Sequence, residues 1–233
     1  MGTGSPLVAV AGTGTGVGKT HVSAALLRAW GERTRVVGYK PVETGVVTDS
    51  AQGDDSRRLL EASTFHVKHP VFRQTFADPI SPHLAARRMG APIDLVALAK
   101  QATELRREAD GVVVELAGGL LTPLAPGALN VDLARKLDPT RVVLVAPDRL
   151  GVLHDVGATL HATARLGLGV SGIVLSAVAN PDASSGTNAA EITHIFGASV
   201  LAIFPWAAGD HPSTQRAARE LLRRLDLGLD SRS

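Results

Sequence analysis

The 233-residue chain contains no cysteine. That excludes disulfides, thiolate metal centres and cysteine nucleophiles. Aromatic residues make up only 3% of it, so its core has to be built from the alanine, valine, leucine and isoleucine that dominate the 45% hydrophobic fraction. No apolar run approaches the roughly 20 residues of a membrane span. Residues 1–6 lack the basic and apolar regions of a signal peptide. A soluble, cytoplasmic protein with no membrane partner is the expectation. Charge of one sign is not concentrated either. The formal net charge is +2, and the basic pairs Arg87-Arg88 and Arg106-Arg107 read as solvated helix faces, so no nucleic-acid partner is expected. His21, His66, His69, His83, His154 and His161 show no zinc spacing. Trp30 and Trp206 read as packing residues.

What is present is alternation. Short, almost continuously apolar runs recur at Leu7–Ala11, Arg35–Tyr39, Gly111–Glu115, Arg141–Ala146, Val170–Leu175 and Val200–Phe204. Runs of this kind predict parallel strands covered on both faces. Helical spacing fills the intervals 19–31, 55–62, 82–88, 94–109, 129–137, 152–166, 187–196 and 213–225. The segment 64–82, with Pro70, Pro79 and Pro82, reads as an irregular loop. The pattern predicts an α/β fold: a single doubly wound, mostly parallel sheet with helices on both faces and a ligand crevice at the C-terminal strand ends. No linker divides the chain, so one domain is expected over 1–233, with flexible tails at 1–6 and 227–233.

Gly12-Thr13-Gly14-Thr15-Gly16-Val17-Gly18-Lys19-Thr20 follows the first apolar run and opens the first helical segment. Strand, glycine-rich loop, Lys-Thr and helix form the context of a phosphate-binding loop, in which backbone N–H groups and the helix N-terminus face an anion. Lys19 would reach the outer phosphates and the Thr20 hydroxyl would meet Mg²⁺. The usual spacing puts the first glycine at 13; here it is at 12, so the loop is one residue longer. Lys40 and Glu115 stand where strands end, and both would enter the crevice beside this loop. A lysine there can simply snorkel to water. However, Pro41 stiffens its turn, and a second ammonium near a γ-phosphate would stabilise charge on the equatorial oxygens. A carboxylate ending three valines, as Glu115 does, is costly unless a cation pairs with it. Asp54 and Asp55 are further magnesium candidates, one of the pair reading as a helix N-cap.

Other segments follow in order: Gly38-Tyr39-Lys40-Pro41-Val42-Glu43-Thr44-Gly45, Gly53-Asp54-Asp55, Thr75-Phe76-Ala77-Asp78-Pro79-Ile80-Ser81-Pro82-His83, Val114-Glu115 with Ala117-Gly118-Gly119, and Pro205-Trp206. Together with the longer loop, they resemble the dethiobiotin synthetase family over roughly residues 7 to 206. The resemblance implies a P-loop NTPase-like fold and the ATP-dependent closure of a cyclic urea. In that chemistry 7,8-diaminononanoate takes up CO₂ as a carbamate. The carbamate attacks the γ-phosphate, and the second amine then displaces phosphate. It implies that Lys19 and Lys40 are catalytic. Thr15, Gly16, Val17, Gly18, Lys19, Thr20, His21, Asp55, Glu115, Gly118, Ser176 and Pro205 would hold ATP or another nucleoside triphosphate, with Mg²⁺ on Thr20, Asp55 and Glu115. Thr44, Lys40, Gly151, Val152 and His154 would bind the diamine, the last three across a homodimer interface that carries the active site.

The chain departs from the family pattern at four places. Leu116 replaces a glycine beside Glu115, Ser176 replaces an asparagine that reads adenine, Gly16 replaces an acidic loop residue, and His154-Asp155 replaces Asn-His. Ser176 cannot make the two-point contact of an amide, so relaxed base selectivity is expected. Three other readings share the fold. A partition-type nucleotide switch needs a lysine at position 14, which is glycine here. A glutamine-dependent ring-amidating synthetase needs a cysteine. An inactive regulatory homologue would keep the fold alone.

Overall fold

A computed structural model describes residues 4–46 and 53–227. From the N-terminus the elements are β1 (Leu7–Gly12), α1 (Lys19–Gly31), β2 (Val36–Tyr39), β3 (Val42–Thr44), α2 (Asp54–Ala62), β4 (Gln74–Phe76) and α3 (Pro82–Met89). The middle of the chain forms α4 (Leu95–Glu108), β5 (Gly111–Gly119), β6 (Pro123–Ala125), β7 (Ala128–Leu129), α5 (Asn130–Lys136) and β8 (Arg141–Pro147). Last come α6 (Val152–Arg165), β9 (Gly172–Ser176), α7 (Asn188–Phe196), β10 (Val200–Phe204) and α8 (Pro212–Leu225).

Six strands form one sheet in the order β2-β5-β1-β8-β9-β10, and every pair in it is parallel. The chain builds β2 and β5 on one side of β1, then β8, β9 and β10 on the other. A sheet that reverses its direction of growth at β1 opens a crevice beyond the C-terminal end of that strand. Two short ribbons lie beside the sheet, parallel β3–β4 and antiparallel β6–β7.

Residues of β1 alternate between two apolar layers, as the period of two demands. Leu7, Ala9 and Ala11 face Leu98 and Leu105 of α4, Val131 of α5, Val156 of α6 and Ile192 of α7. Val8 and Val10 face Leu26, Leu27 and Trp30 of α1, Leu59 of α2 and Leu221 of α8. Both faces are covered, which is why the strands are apolar at almost every position. Among the described residues, no helix is long and apolar enough to cross a membrane.

Each expected helix is present, with ends within one residue of its predicted bounds. The strands differ more. β2 and β9 begin one and two residues later than expected, and β5 runs on from Glu115 to Gly119, because its end pairs with Gly12 past an irregularity in the β1 register. The segment expected to be irregular contains β4, which pairs with β3. Strands of two or three residues are too short to show a period, so none of the four in the ribbons is legible in the sequence. The tails expected at 1–6 and 227–233 fall largely outside the described residues; Ser5, inside them, donates its hydroxyl to the Arg106 carbonyl at 3.0 Å.

Gly111 opens β5 directly against Trp30. A Cβ there would collide with the indole ring, and Trp30 is itself buried. Gly111→Ala is therefore expected to destabilise the fold by about 1–3 kcal/mol through overpacking. The urea midpoint should fall with no change in the slope of the transition.

Candidate active site

Between β1 and α1 the glycine-rich loop turns so that α1 starts after Gly18, whose φ of 95° suits glycine alone. No side chain caps this helix and no acid lies in its first turn, so its leading N–H groups are left open to an anion. Neighbouring strands brace the loop. Thr13 N donates to the Val145 carbonyl at 3.0 Å, and Leu120 N donates to the Gly12 carbonyl at 3.2 Å. Lys19 is 6% exposed and donates through Nζ to the Gly14 carbonyl at 2.8 Å. Burial, reinforced by the nearby Lys40 ammonium, pushes its pKa down to about 8.

Register decides what stands next to the loop. Tyr39 pairs with Val114, so Lys40 follows beside Glu115, and Glu115 in turn lies across from Val10. Lys40 Nζ donates to Glu115 Oε1 and, at 2.9 Å, to Asp55 Oδ2 from the start of α2. Thr20 Oγ1 lies 2.8 Å from Asp55 Oδ1 and 2.9 Å from Glu115 Oε1. Burial opposes the charge on Lys40, but Glu115 and Asp55 outweigh that and hold its pKa above the ordinary lysine value. Burial likewise raises Asp55, and Lys40 more than reverses it, leaving that carboxyl below its usual range.

These oxygens suit a hard divalent cation. A threonine hydroxyl has one proton, so it can serve only one of the two carboxylate oxygens beside it. Glu115 is fully buried, and its Oε2 has no hydrogen-bond partner. Thr20, Asp55 and Glu115 could hold Mg²⁺, which takes hard oxygen ligands and only one or two carboxylates from a protein. Among the described residues, no group of three or more His, Cys, Asp or Glu converges in the manner of a transition-metal site.

One cavity of about 740 Å³ gathers Thr15, Gly16, Gly18, Lys19, Thr20, His21, Lys40, Thr44, Asp55, Glu115 and Gly118, together with Pro79–Pro82 from the loop before α3 and its first residue. Val17, Ser176 and Pro205 are not in its lining. Val17 packs in the apolar layer under α1. Ser176 is buried beneath the loop, where a Cβ on Gly18 would come 2.5 Å from its hydroxyl. Trp206 lines the cavity with its side chain largely exposed rather than packed, whereas Pro205 beside it is not in the lining. His21 is half-buried, edge-on to Phe204 at 5.8 Å, and its Nε2 has no partner. Burial, together with Arg28 and Arg58, lowers its pKa. Gly151, Val152 and His154 lie at the start of α6, outside the cavity; Val152 is buried and His154 exposed. Leu116 points into the core and does not line the cavity.

Two residues to which the sequence assigns no role support the site. Asn130 donates to the carbonyls of Ala117 and Gly119, pinning the turn that carries Gly118. Glu43 accepts from Asp55 N at 2.9 Å and from Ser56 N at 3.2 Å. Neither Asp54 nor Asp55 is the N-cap of α2; that position belongs to Gly53, which has no side chain to cap with. A glycine at the cap beside an unassigned upstream acid was the signal available.

Comparison with known proteins agrees with this geometry. The AAA domain family model matches residues 7–212. An ATP-dependent dethiobiotin synthetase BioD of Anaeromyxobacter sp. (strain K) is 39% identical over 215 residues, covering 91% of this chain and 93% of that protein. The one of Nitrosospira multiformis is 34% identical over 94% of this chain and 93% of its own length. That of Yersinia pestis bv. Antiqua (strain Angola) is 31% identical over 94% and 92%. Among solved structures, the septum site-determining protein MinD of Pyrococcus horikoshii, complexed with Mg-ADP, superimposes with a TM-score of 0.61 at 17% identity. It covers 95% of this chain and 96% of that one. At that identity the likeness is one of fold.

The lowered pKa of Lys19 sets a pH dependence. A phosphate ligand needs the ammonium and holds the proton more tightly than the free protein does. Nucleotide affinity measured without divalent cations should therefore be flat below about pH 8. Above it, affinity should fall by up to about tenfold per pH unit. Titration calorimetry from about pH 6.5 to about pH 9.5, spanning that pKa, checks this; an unchanging affinity across the range would contradict it.

Proposed function

The chain belongs to the ATP-dependent dethiobiotin synthetase family, and we propose that its cavity closes the ureido ring of dethiobiotin from 7,8-diaminononanoate, CO₂ and ATP, releasing ADP and phosphate. It is a ligase of biotin biosynthesis and uses ATP with Mg²⁺. The observation that carries the reading is the meeting of Thr20, Lys40, Asp55 and Glu115 at the end of the glycine-rich loop, in the same cavity as Thr44 and Pro79–Pro82.

The roles follow from chemistry. The open N-terminus of α1 and Lys19 receive the phosphates. Thr20, Asp55 and Glu115 hold Mg²⁺, which neutralises charge on the transferring phosphoryl group. With Mg²⁺ on the carboxylates, the Lys40 ammonium would be available to stabilise the carbamate and the developing phosphoryl charge. Thr44 offers a hydroxyl to the diamine. His21, with its unpartnered Nε2, and Trp206, at the cavity mouth, form the nucleotide side. Gly151, Val152 and His154 act from a second copy of the chain, where the N-terminus of α6 takes the substrate carboxylate; that they do not line the cavity of their own chain is consistent with this. One domain, working in the cytoplasm, completes the proposal. A nucleotide switch is not favoured, because the loop carries glycine rather than lysine at 14.

The direct test supplies diaminononanoate, bicarbonate, Mg²⁺ and ATP and looks for dethiobiotin by mass spectrometry. Product is expected, and Lys40→Ala should reduce its rate by about 10²–10³ while the circular dichroism spectrum is unchanged. Absence of product from the folded wild-type chain would overturn the reading.

Ser176 lies under Gly18 and presents no amide toward a base. ATP, CTP, GTP and UTP are accordingly expected to support turnover with kcat/KM values within about tenfold of one another, because neither of the two neutral hydrogen bonds by which an amide would read adenine, worth about 0.5–1.5 kcal/mol each, is available to favour ATP. A strong preference for ATP in parallel assays would contradict this.

A further inference from the structure

We propose that Glu43 is a positioning residue that sets the place of Asp55 in the magnesium site. The inference rests on the reading of Asp55 as a metal ligand and adds a residue for which that reading has no role.

Helix α2 begins at Asp54 after Gly53, and no side chain of its own sequence caps it. Its first N–H groups still need acceptors. Glu43 supplies them from another element. Oε1 accepts from Asp55 N at 2.9 Å, and Oε2 accepts from Ser56 N at 3.2 Å and from the Ser56 hydroxyl. The carboxylate is 6% exposed and lies at the positive end of the helix dipole, where a negative charge is favoured. The backbone of Asp55 is thus tied to Glu43, while its side chain reaches Thr20 and Lys40.

Glu43 is itself held firmly. It is the central residue of β3, opposite Thr75 of β4, and Val46 N donates to the Phe76 carbonyl at 3.0 Å to continue the ribbon. The ribbon therefore fixes where α2 starts. Gly53 shows how closely the carboxylate is seated: a Cβ there would collide with the Glu43 carboxylate. The backbone of Gly53, φ −76° and ψ 172°, is one that alanine adopts freely, so the side chain of Glu43 is what demands glycine.

Two substitutions attack this contact from opposite sides. Glu43→Ala removes the acceptor, and Gly53→Ala pushes it away. Mn²⁺ binding to the protein with ADP, followed by electron paramagnetic resonance, reports the site without turnover. Both variants are expected to weaken Mn²⁺ by about tenfold or more, the range for losing a group that orients a metal ligand. In turnover, the Mg²⁺ half-saturation should rise while the KM for the diamine holds. Glu43→Gln keeps one amide oxygen as acceptor and should fall between wild type and Glu43→Ala. Asp55→Asn is the reference. If it weakens Mn²⁺ while folded Glu43→Ala and Gly53→Ala bind normally, the positioning role is wrong and the metal reading stands. If Asp55→Asn leaves Mn²⁺ unchanged, the metal reading falls and takes this inference with it. Should Glu43→Ala fail to fold, wild-type affinity in Glu43→Gln and Gly53→Ala is enough to overturn the proposal.

Discussion

The buried contact of Lys40 with Glu115 and Asp55 is the interaction around which the crevice is organised. Three separate elements have to converge for it: the end of β2, the upper half of β5 and the first turn of α2. Ion pairs withdrawn from water seldom add net stability, because desolvation offsets the attraction. This one joins two carboxylates to a lysine beside a phosphate-binding loop, and Thr20 completes the ring of oxygens. The cluster therefore gathers hard oxygen donors around a lysine, and it is in these oxygens that the proposed function places Mg²⁺. Removing Lys40 would leave the fully buried Glu115 carboxylate without its cation.

Two helices of the site start in the same way and are treated differently. α1 begins after Gly18 and α2 after Gly53, neither with a side-chain cap. At α1 the N–H groups stay open and the first turn carries no acid, which suits an incoming anion. At α2 the same position is filled from within by the Glu43 carboxylate. One N-terminus is open, and the other is occupied by a carboxylate from a neighbouring strand while its first turn carries Asp55. The turn from Ala117 to Gly119 is secured in a comparable way by Asn130.

Much of this was legible in the chain. The apolar runs and helical spacing predicted the sheet and every helix, because strands covered on both faces must be apolar throughout and helices repeat about every 3.6 residues. The glycine-rich loop, Lys19 and Thr20 could be read because consecutive residues perform one task. Lys40 and Glu115 could be placed in the crevice because a polar residue that ends an apolar strand has few other places to go.

What the sequence determined by itself was local or periodic: the strand–loop–helix around the phosphates, the elements of the sheet and the charged residues at its rim. Only the tertiary structure decided the pairings. That Lys40 meets both Asp55 and Glu115 depends on the β2–β5 register. The side ribbons were invisible because two or three residues carry no period. The cap on α2 comes from Glu43, on a separate strand well upstream of Gly53, and nothing in local propensity signals a cap from so far away. Leu116 turning into the core and Ser176 lying under Gly18 follow from which face of a strand each occupies. The alternation along a strand is written in the sequence, but the face that meets a ligand is chosen only when neighbouring elements pack.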